Sequence, residues 1–203
     1  MRTHVFLFAK EPRLGRVKSR LANDIGSLNA LSFYRNNLSR VIRRLKGNPR
    51  FSLTVAVSPD RMAGCRPTWA HGVPLIAQGR GDLGQRMARA FRNAPPGPVI
   101  IIGSDIPYIR PSDLRRAATI LGQSDAVFGP SGDGGYWLVG LKRLKPQPFG
   151  LFSNVRWSSP YALHDSVATL GGTTTVRWTD QLDDVDDGAS YHCWKQGAIN
   201  DRQ

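Results

Sequence analysis

One stretch of the chain, residues 98–107, restricts its fold more than any other. It reads PVIIIGSDIP, so four β-branched apolar residues stand in a row without polar alternation. Such a run predicts a short strand buried on both faces, which is typical of the centre of a parallel sheet. Asp105 comes just after the predicted strand, where open α/β sheets bind their ligands. It is therefore a candidate site residue, although an aspartate in a strand-to-helix loop can also serve as a simple turn residue.

The rest of the chain alternates between strand-like and helix-like patterns. Further strands are predicted at 5–9, 53–57, 75–77, 126–128, 136–141 and 173–178. Helices are predicted over 23–46, after Asp82, over 112–121 and over 161–170. This alternation indicates an α/β fold with a mainly parallel sheet, to which residues 129–170 add a short antiparallel extension. Without an evident linker or repeat, residues 1–203 are predicted to form one domain.

Composition narrows the class of protein. The 28 Lys and Arg outnumber the 15 Asp and Glu, and the resulting net charge of +13 favours anionic partners such as nucleotides, phosphorylated metabolites or nucleic acid. Part of the excess can equally be solvated surface at the end of the predicted helix 23–46. Two cysteines cannot build a disulfide framework, and no apolar run is long enough to cross a bilayer. We therefore expect a soluble cytoplasmic protein without a membrane partner.

A basic loop follows the first predicted strand. Residues 10–20 read KEPRLGRVKSR, with Gly15 ahead of Arg16, Lys18 and Arg20. A strand, a glycine-containing loop and a helix are a common layout for phosphate binding, because N–H groups at the helix start point at the anion. The loop is neither a Walker A motif nor G-x-G-x-x-G. Any phosphate contact would therefore rely on the three basic side chains as well as on the backbone.

Two later loops carry polar candidates. Gln78 follows the predicted strand at 75–77, where its amide could pair with the edge of a base, whereas Asp82 is better suited to cap the next helix. Residues 129–140 hold Asp133 among closely spaced glycines, which let a backbone approach a ligand closely. A hairpin turn would explain the same glycines, so both interpretations of this loop are open.

An acidic run stands near the end of the chain. Residues 183–187 read DDVDD, which is four carboxylates within five residues of a net basic protein. A solvated acidic turn is one interpretation. The other is a divalent-cation site that Asp105 completes, because Mg²⁺ and Mn²⁺ take oxygen ligands from the protein and fill the rest of their shell with water or phosphate.

Several segments, in this order, resemble the DUF2064 family. They are FAKEP at 8–12, GRVKSRL at 15–21, GDLGQRM at 81–87, GSDIP at 103–107, GP at 129–130 with DGGY at 133–136, and WSSP at 157–160. Together they span nearly the whole chain, and several motifs in the correct order are far more specific than one. Proteins of this family are similar to the GT-A group of nucleotide-diphospho-sugar transferases, whose relatives include the phospholactate and molybdenum-cofactor guanylyltransferases.

The resemblance implies a three-layer α/β/α sandwich with a Rossmann-like sheet, and it implies roles for particular residues. Lys18 and Asp105 would be catalytic, and Asp105 would bind Mg²⁺ or Mn²⁺ with Asp184 or Asp186. The implied nucleotide-binding residues are Ala9, Lys10, Gly15, Arg16, Lys18, Arg20, Gln78 and Gly84. The implied acceptor-binding residues are Asp133, Gly134, Gly135, Tyr136, Trp157 and Ser158. Residues 187–191 read DGASY where relatives commonly have Thr-Pro-Glu-Asp-Leu, so the choice between Asp184 and Asp186 is open.

These features predict a metal-dependent transferase that uses a nucleotide. Charge that builds on a leaving phosphate must be neutralised, and a divalent ion beside Lys18 and Arg20 would do so. The first expectation is a nucleotidyltransferase that takes a nucleoside triphosphate and a small phosphorylated, anionic acceptor. A glycosyltransferase that consumes a sugar nucleotide is the alternative, followed by a catalytically silent GT-A domain. Nucleic-acid binding is disfavoured because no known motif for it is present. The base, the acceptor and the oligomeric state stay open.

Overall fold

The computed structural model of the protein describes residues 2–144 and 146–200, within which seven strands form one sheet. They are β1 (Thr3–Lys10), β2 (Phe51–Ser58), β3 (Leu75–Ala77), β4 (Val99–Gly103), β5 (Ala126–Pro130), β6 (Tyr136–Leu141) and β7 (Val176–Trp178). Their order across the sheet is β3-β2-β1-β4-β6-β5-β7. Neighbouring strands are parallel except where β6 pairs with β4 and β5. The predicted α/β class with a mainly parallel sheet is confirmed.

The antiparallel strand is not the extension that the sequence predicts. β6 lies inside the sheet, where Val139 stands opposite Ile101 of β4 on one side and Phe128 of β5 on the other. The glycine-rich residues 131–135 form the tight connection between β5 and β6, closed by a hydrogen bond from the Ser131 N–H to the Gly135 carbonyl. β6 is apolar at nearly every position because, as a central strand, it is covered on both faces.

Six α-helices accompany the strands in the described part of the chain. They are α1 (Ser19–Ile25), α2 (Ser27–Leu45), α3 (Leu83–Asn93), α4 (Pro111–Gly122), α5 (Ala162–Ala168) and α6 (Gly188–Asn200). The helix predicted over 23–46 is in fact two, because Gly26 between α1 and α2 has a φ of 84°, a conformation that favours glycine and breaks the helix. Asp82 caps α3 as predicted, since its carboxylate accepts the Gln85 N–H.

The core forms two layers, one on each face of the sheet. Val5 and Leu7 of β1 pack with α2 and α4, whereas Phe6 and Phe8 pack with α3 and α5. The apolar run of β4, residues 99–102, divides between the same two layers and is at most 3% exposed. A third small cluster joins α1, α2 and the segment before α6 through Leu21, Phe33 and Val185. The result is the expected three-layer α/β/α sandwich.

This arrangement brings the carboxyl ends of β1 and β4 side by side at one edge of the sheet. The basic loop leaves β1 there, and the loop of Asp105 leaves β4 beside it. None of the helices in the described part of the chain combines the length and apolar character that crossing a membrane requires.

Candidate active site

Lys18 stands at the centre of the candidate site. Its Nζ lies 3.4 Å from Oδ1 of Asp105 and 3.2 Å from Oδ1 of Asp186, and its side chain is only 2% exposed. The backbone of Lys18 adopts the left-handed conformation, with φ 51° and ψ 49°, where the chain enters α1. A non-glycine residue in this region carries backbone strain of about 1–3 kcal/mol, and such residues concentrate at functional sites. Burial of Val17 and Leu21 on either side holds this turn in place.

The two carboxylates beside Lys18 come from distant parts of the sequence. Because their Oδ1 atoms flank the same nitrogen, they are separated by no more than the sum of the two distances, about 6.6 Å. The backbone adds a direct link, since the Val185 N–H donates to the carbonyl of Asp105 at 3.2 Å. The structure therefore brings together the carboxylates that the sequence assigned to one divalent ion, close enough for small side-chain rotations to let both reach it.

Asp184 completes the acidic cluster from the cavity side. Burial raises the pKa of Asp184, and repulsion from Asp186, Asp105 and Asp133 raises it further, while Lys18 opposes the rise. Carboxylates that destabilise one another's charge in this way are relieved by a cation. Asp186 differs from Asp184 in being paired with cations, because Arg20 also lies 3.3 Å from its Oδ2.

The carboxylate oxygens around Lys18 provide part of the coordination shell that a hard divalent cation needs. Oδ1 of Asp105 is buried and accepts no hydrogen bond within the described residues, although the Lys18 ammonium is near. All candidate ligands are carboxylate oxygens, which suit Mg²⁺ and Mn²⁺. Within residues 2–144 and 146–200, no three or more His, Cys, Asp or Glu side chains are placed so that they could hold a metal ion together. Water or phosphate oxygens would have to complete the shell.

A buried hydroxyl network, which the sequence analysis missed, supports Asp105 and the first loop. The Tyr34 hydroxyl accepts the Lys10 N–H at 2.9 Å, donates to the Lys10 carbonyl at 3.1 Å and meets Oγ of Ser104 at 3.2 Å. The Asn37 amide donates to the Ser104 carbonyl at 2.9 Å. Burial, followed by the nearby charge of Asp105, raises the pKa of Tyr34. Two polar residues, one helical turn apart on the buried face of α2, were the signal that could have revealed the network.

A cavity of about 340 Å³ opens beside Asp105. Its walls are largely apolar, and the polar side-chain groups in its lining are carboxylates, hydroxyls and the indole N–H groups of tryptophan. Its lining includes Phe8, Leu83, Met87, Asp105, Ile106, Ser131, Asp133, Gly135, Tyr136, Trp157, Ser158, Ser159 and Asp184. No Lys, Arg or His stands among the described residues that line it. A larger cleft of about 1100 Å³, with four arginines, lies along another side of α3 and contains none of the predicted site residues.

The predicted acceptor residues divide at this cavity. Asp133, Gly135, Tyr136, Trp157 and Ser158 line it. Oδ1 of Asp133 is nevertheless engaged within its own turn, accepting from Oγ of Ser131 at 2.7 Å and from the Gly135 N–H at 2.9 Å. The glycine-rich loop is thus a hairpin turn and a cavity wall at once.

Gly134 is absent from the cavity lining, and its conformation serves packing. It has a φ of 83°, and a Cβ built on it would lie 2.3 Å from the Pro160 carbonyl. Only glycine therefore lets this turn approach the segment around residue 160.

Three of the predicted nucleotide residues serve the fold. Gln78 is buried, its amide donates to the carbonyls of Ala9 and Ala56, and it accepts from Arg86, so it is not a free group for reading a base. Ala9 is buried and provides one of those carbonyls. Gly84 allows close packing, because a Cβ there would lie 2.4 Å from the carbonyl of Phe152. A nucleotide could reach Gln78 only if these bonds were broken.

The remaining predicted nucleotide residues flank Lys18 in the sequence, between the end of β1 and the first turn of α1. Gly15, with a φ of 70°, makes the turn of the basic loop. The side chains of Lys10, Arg16 and Arg20 are exposed around the loop, where a phosphate could reach them. The structure therefore leaves an exposed basic rim around one buried ammonium.

Solved structures of other proteins define the class to which this fold belongs. A protein of Desulfovibrio desulfuricans G20, described as a candidate nucleotide-diphospho-sugar transferase, has a TM-score of 0.78 at 26% identity, over 92% of this chain and 84% of that one. CMP:2-keto-3-deoxy-manno-octonic acid synthetase, solved with CTP, has a TM-score of 0.61 at 11% identity, over 99% of this chain and 100% of that one. Rv0371c of Mycobacterium tuberculosis H37Rv, solved with manganese, has a TM-score of 0.51 at 18% identity, over 95% and 96%. The fold is the GT-A-like fold of nucleotide-utilising transferases.

The chain belongs to the DUF2064 family, which is described as "Uncharacterized protein conserved in bacteria". The family model matches residues 41–159. That range contains Asp105 and the glycine-rich turn, but it begins after Lys18 and ends before Asp184. No curated protein matches the chain by sequence.

Proposed function

We propose that this protein is a metal-dependent transferase that uses a nucleotide. The observation that carries the proposal is the buried ammonium of Lys18, held between Asp105 and Asp186 at the carboxyl ends of parallel strands. Ligands of α/β sheets bind at this edge. The relatives solved with CTP and with manganese support a nucleotide and a divalent ion as ligands of the same fold.

Each group in the site has a task in such a reaction. Arg16, Arg20 and Lys18 would bind the phosphates, the first two from the exposed rim and Lys18 from below. Asp105 and Asp186, with Asp184 beside them, would hold Mg²⁺ or Mn²⁺, which neutralises the charge that develops on the departing phosphate. The apolar cavity next to Asp105 would hold the other reactant and exclude water from it. The proposal requires no covalent nucleophile, since positioning and electrostatic stabilisation suffice for transfer at phosphate.

The charge of the cavity favours glycosyl transfer from a sugar nucleotide over nucleotidyl transfer to a phosphorylated acceptor. Asp105, Asp133 and Asp184 line the cavity without an opposing cation in the lining. Lys18 offsets the charge of Asp105, but Asp133 and Asp184 form no ion pair within the described residues, so a phosphate group beside them would be repelled. Carboxylates and serine hydroxyls instead match the hydroxyls of an uncharged sugar, because they can accept and donate hydrogen bonds.

The experiment is a thermal-shift screen of nucleoside triphosphates, nucleoside diphosphates and sugar nucleotides, each with and without Mn²⁺. We expect stabilisation that requires metal and nucleotide together, with a sugar nucleotide outperforming the diphosphate of the same base. A larger rise in Tm with a triphosphate than with any sugar nucleotide would favour nucleotidyl transfer over glycosyl transfer. Absence of any metal-dependent nucleotide effect would reject the proposal.

A substitution tests the phosphate contact directly. Lys18→Ala is expected to weaken binding of the nucleotide alone by about 1.5–3 kcal/mol, the range for a hydrogen bond to a charged group. Lys46→Ala is the control, because the Lys46 ammonium contacts the carbonyl of His71 and no carboxylate in the described part of the chain. Isothermal titration of both variants provides the comparison, and equal affinities would contradict the role of Lys18.

A further inference from the structure

We propose that Lys18 is the resident counter-ion of the metal carboxylates, so that Lys18 and the divalent ion compete for Asp105 and Asp186 until a nucleotide draws the ammonium away. This inference rests on the proposed function for the identity of the ligands. It adds an order to their binding: the divalent ion binds weakly to the free protein and tightly once a nucleotide is present.

The competition follows from where the ammonium lies. Lys18 Nζ is 3.4 Å from one carboxylate and 3.2 Å from the other, and these are the two side chains that a divalent ion would bridge. A bridging ion needs carboxylate oxygens at about 2.0–2.6 Å. Because both Oδ1 atoms also lie beside Nζ, an ion bound by these carboxylates would be close to the ammonium. At that distance two positive charges repel strongly, particularly where one is shielded from water.

The ammonium is well supplied with neutralising charge in the free protein. The Lys18 side chain is 2% exposed, whereas those of Asp105 and Asp186 are 42% and 37% exposed. The carboxylates therefore turn one side toward Lys18 and keep another side toward solvent. Their attraction for an incoming cation is already reduced by one full charge at the centre and by Arg20 at the rim.

A nucleotide phosphate offers Lys18 a second anionic partner. The lysine ammonium is a compact charge on a flexible four-carbon stem, so it can exchange one anion for another without moving the backbone. The basic rim of Arg16 and Arg20 lies at the same loop and would bring a phosphate close. Once Nζ turns to phosphate, Asp105 and Asp186 are free for the metal. Since binding couplings are reciprocal, metal and nucleotide must then strengthen each other's binding by the same factor.

The test measures Mn²⁺ binding by electron paramagnetic resonance, with no nucleotide present. Lys18→Met keeps an unbranched side chain that is one atom shorter and removes its charge, and we expect it to bind Mn²⁺ about tenfold tighter than the wild type. The same variant should bind nucleotide alone more weakly. Opposite changes for the two ligands distinguish competition from general damage to the site.

Arg20→Met is the matched control. Like Lys18→Met, it removes one positive charge beside Asp186. The charge that it removes is solvent-exposed, because the Arg20 side chain is 76% exposed. Screening of exposed pairs predicts a change in Mn²⁺ affinity of less than about threefold. An equal gain in both variants would mean that only the overall charge matters, and it would overturn the proposal. So would unchanged or weaker Mn²⁺ binding by Lys18→Met, which would show that Lys18 organises the carboxylates.

The wild-type protein provides a further test that does not depend on whether a variant folds. Mn²⁺ affinity should rise about tenfold or more when a nucleotide that the thermal-shift screen has identified is added. An unchanged Mn²⁺ affinity would overturn the inference while leaving the proposed function in place. If no nucleotide binds but Lys18→Met still gains Mn²⁺ affinity, the counter-ion role holds and the proposed function fails.

Discussion

Replacement of Tyr34 by phenylalanine tests whether the buried hydroxyl network carries the weight that its geometry indicates. The change removes one oxygen and leaves the ring, which is part of the main core. That oxygen contacts the N–H and carbonyl of Lys10 and the hydroxyl of Ser104. Because the site is buried, no bulk water replaces the lost oxygen.

The magnitude follows from the groups left behind. Each neutral hydrogen bond contributes about 0.5–1.5 kcal/mol, and a buried donor or acceptor without a partner costs about 1–3 kcal/mol. Since the Lys10 N–H loses its hydroxyl partner, we expect Tyr34→Phe to lower the free energy of unfolding by about 2–3 kcal/mol. For a chain of this length, that corresponds to a fall in Tm of roughly 4–12 °C.

Thermal and urea unfolding of Tyr34→Phe and Tyr161→Phe make the assay. Tyr161 is 52% exposed, and the same loss of a hydroxyl there should change the free energy of unfolding by no more than about 0.5 kcal/mol. Ser104 immediately precedes Asp105, so Tyr34→Phe should also weaken Mn²⁺–nucleotide binding, whereas Tyr161→Phe should not. If the two variants unfold at the same denaturant concentration, the network is not a structural support and the reasoning fails.

Three further variants probe packing and charge elsewhere. Gly84→Ala should destabilise the protein by about 1–3 kcal/mol, because its Cβ would collide with the Phe152 carbonyl. Gly122 lies in α4 with open space around it, so Gly122→Ala should instead stabilise the protein by up to about 1 kcal/mol. Urea unfolding measures both variants, and equal changes in their free energies of unfolding would contradict the packing argument. Hydrogen bonds from Arg156 hold the pKa of Asp165 well below its usual range. The stabilisation from these hydrogen bonds is present above the unfolded pKa of about 3.9 and is lost as the pH falls through the pKa of the folded state. Asp165→Asn should therefore be less stable than the wild type at pH 7, and the difference in stability should close in acid. A difference that does not change with pH would refute this prediction.

Much of the fold could be predicted because burial leaves a clear mark on sequence. The unbroken apolar run of β4 predicted a central strand, and the alternation of strands with helices predicted the α/β class. The position of β6 between β4 and β5 was not predictable in the same way. Its pattern specifies burial, but the choice of neighbour depends on how the chain crosses the sheet, which local pattern does not encode.

Parts of the site were predictable for a different reason. Asp105 lies two residues after β4, so the rule about strand ends identified it. Lys18 lies in the basic loop between β1 and α1, and the strand–loop–helix layout for phosphate binding identified it. Lys18 and Asp186, by contrast, are 168 residues apart, and their contact depends on the docking of Val185 into the cluster under α1 and α2. The surroundings of Gln78 were not predictable for a related reason. A polar residue after a strand looks available for a ligand, yet its amide satisfies backbone carbonyls at the ends of β1 and β2, which sequence does not display.

The charge of the whole molecule and the charge of its cavity have opposite signs, and this division is consistent with two reactants of different chemistry. A net charge of +13 attracts nucleotides over long range and raises their rate of encounter. The cavity is lined by Asp105, Asp133 and Asp184 without a cation among its described lining residues, and under the proposed function it would disfavour a second phosphate at short range. Lys18 lies at the boundary between the two regions, where one ammonium can serve the carboxylates or the phosphates. Under the proposed function, an anionic nucleotide would be drawn to the rim, and the cavity beyond it would accept an uncharged group that carries hydroxyls.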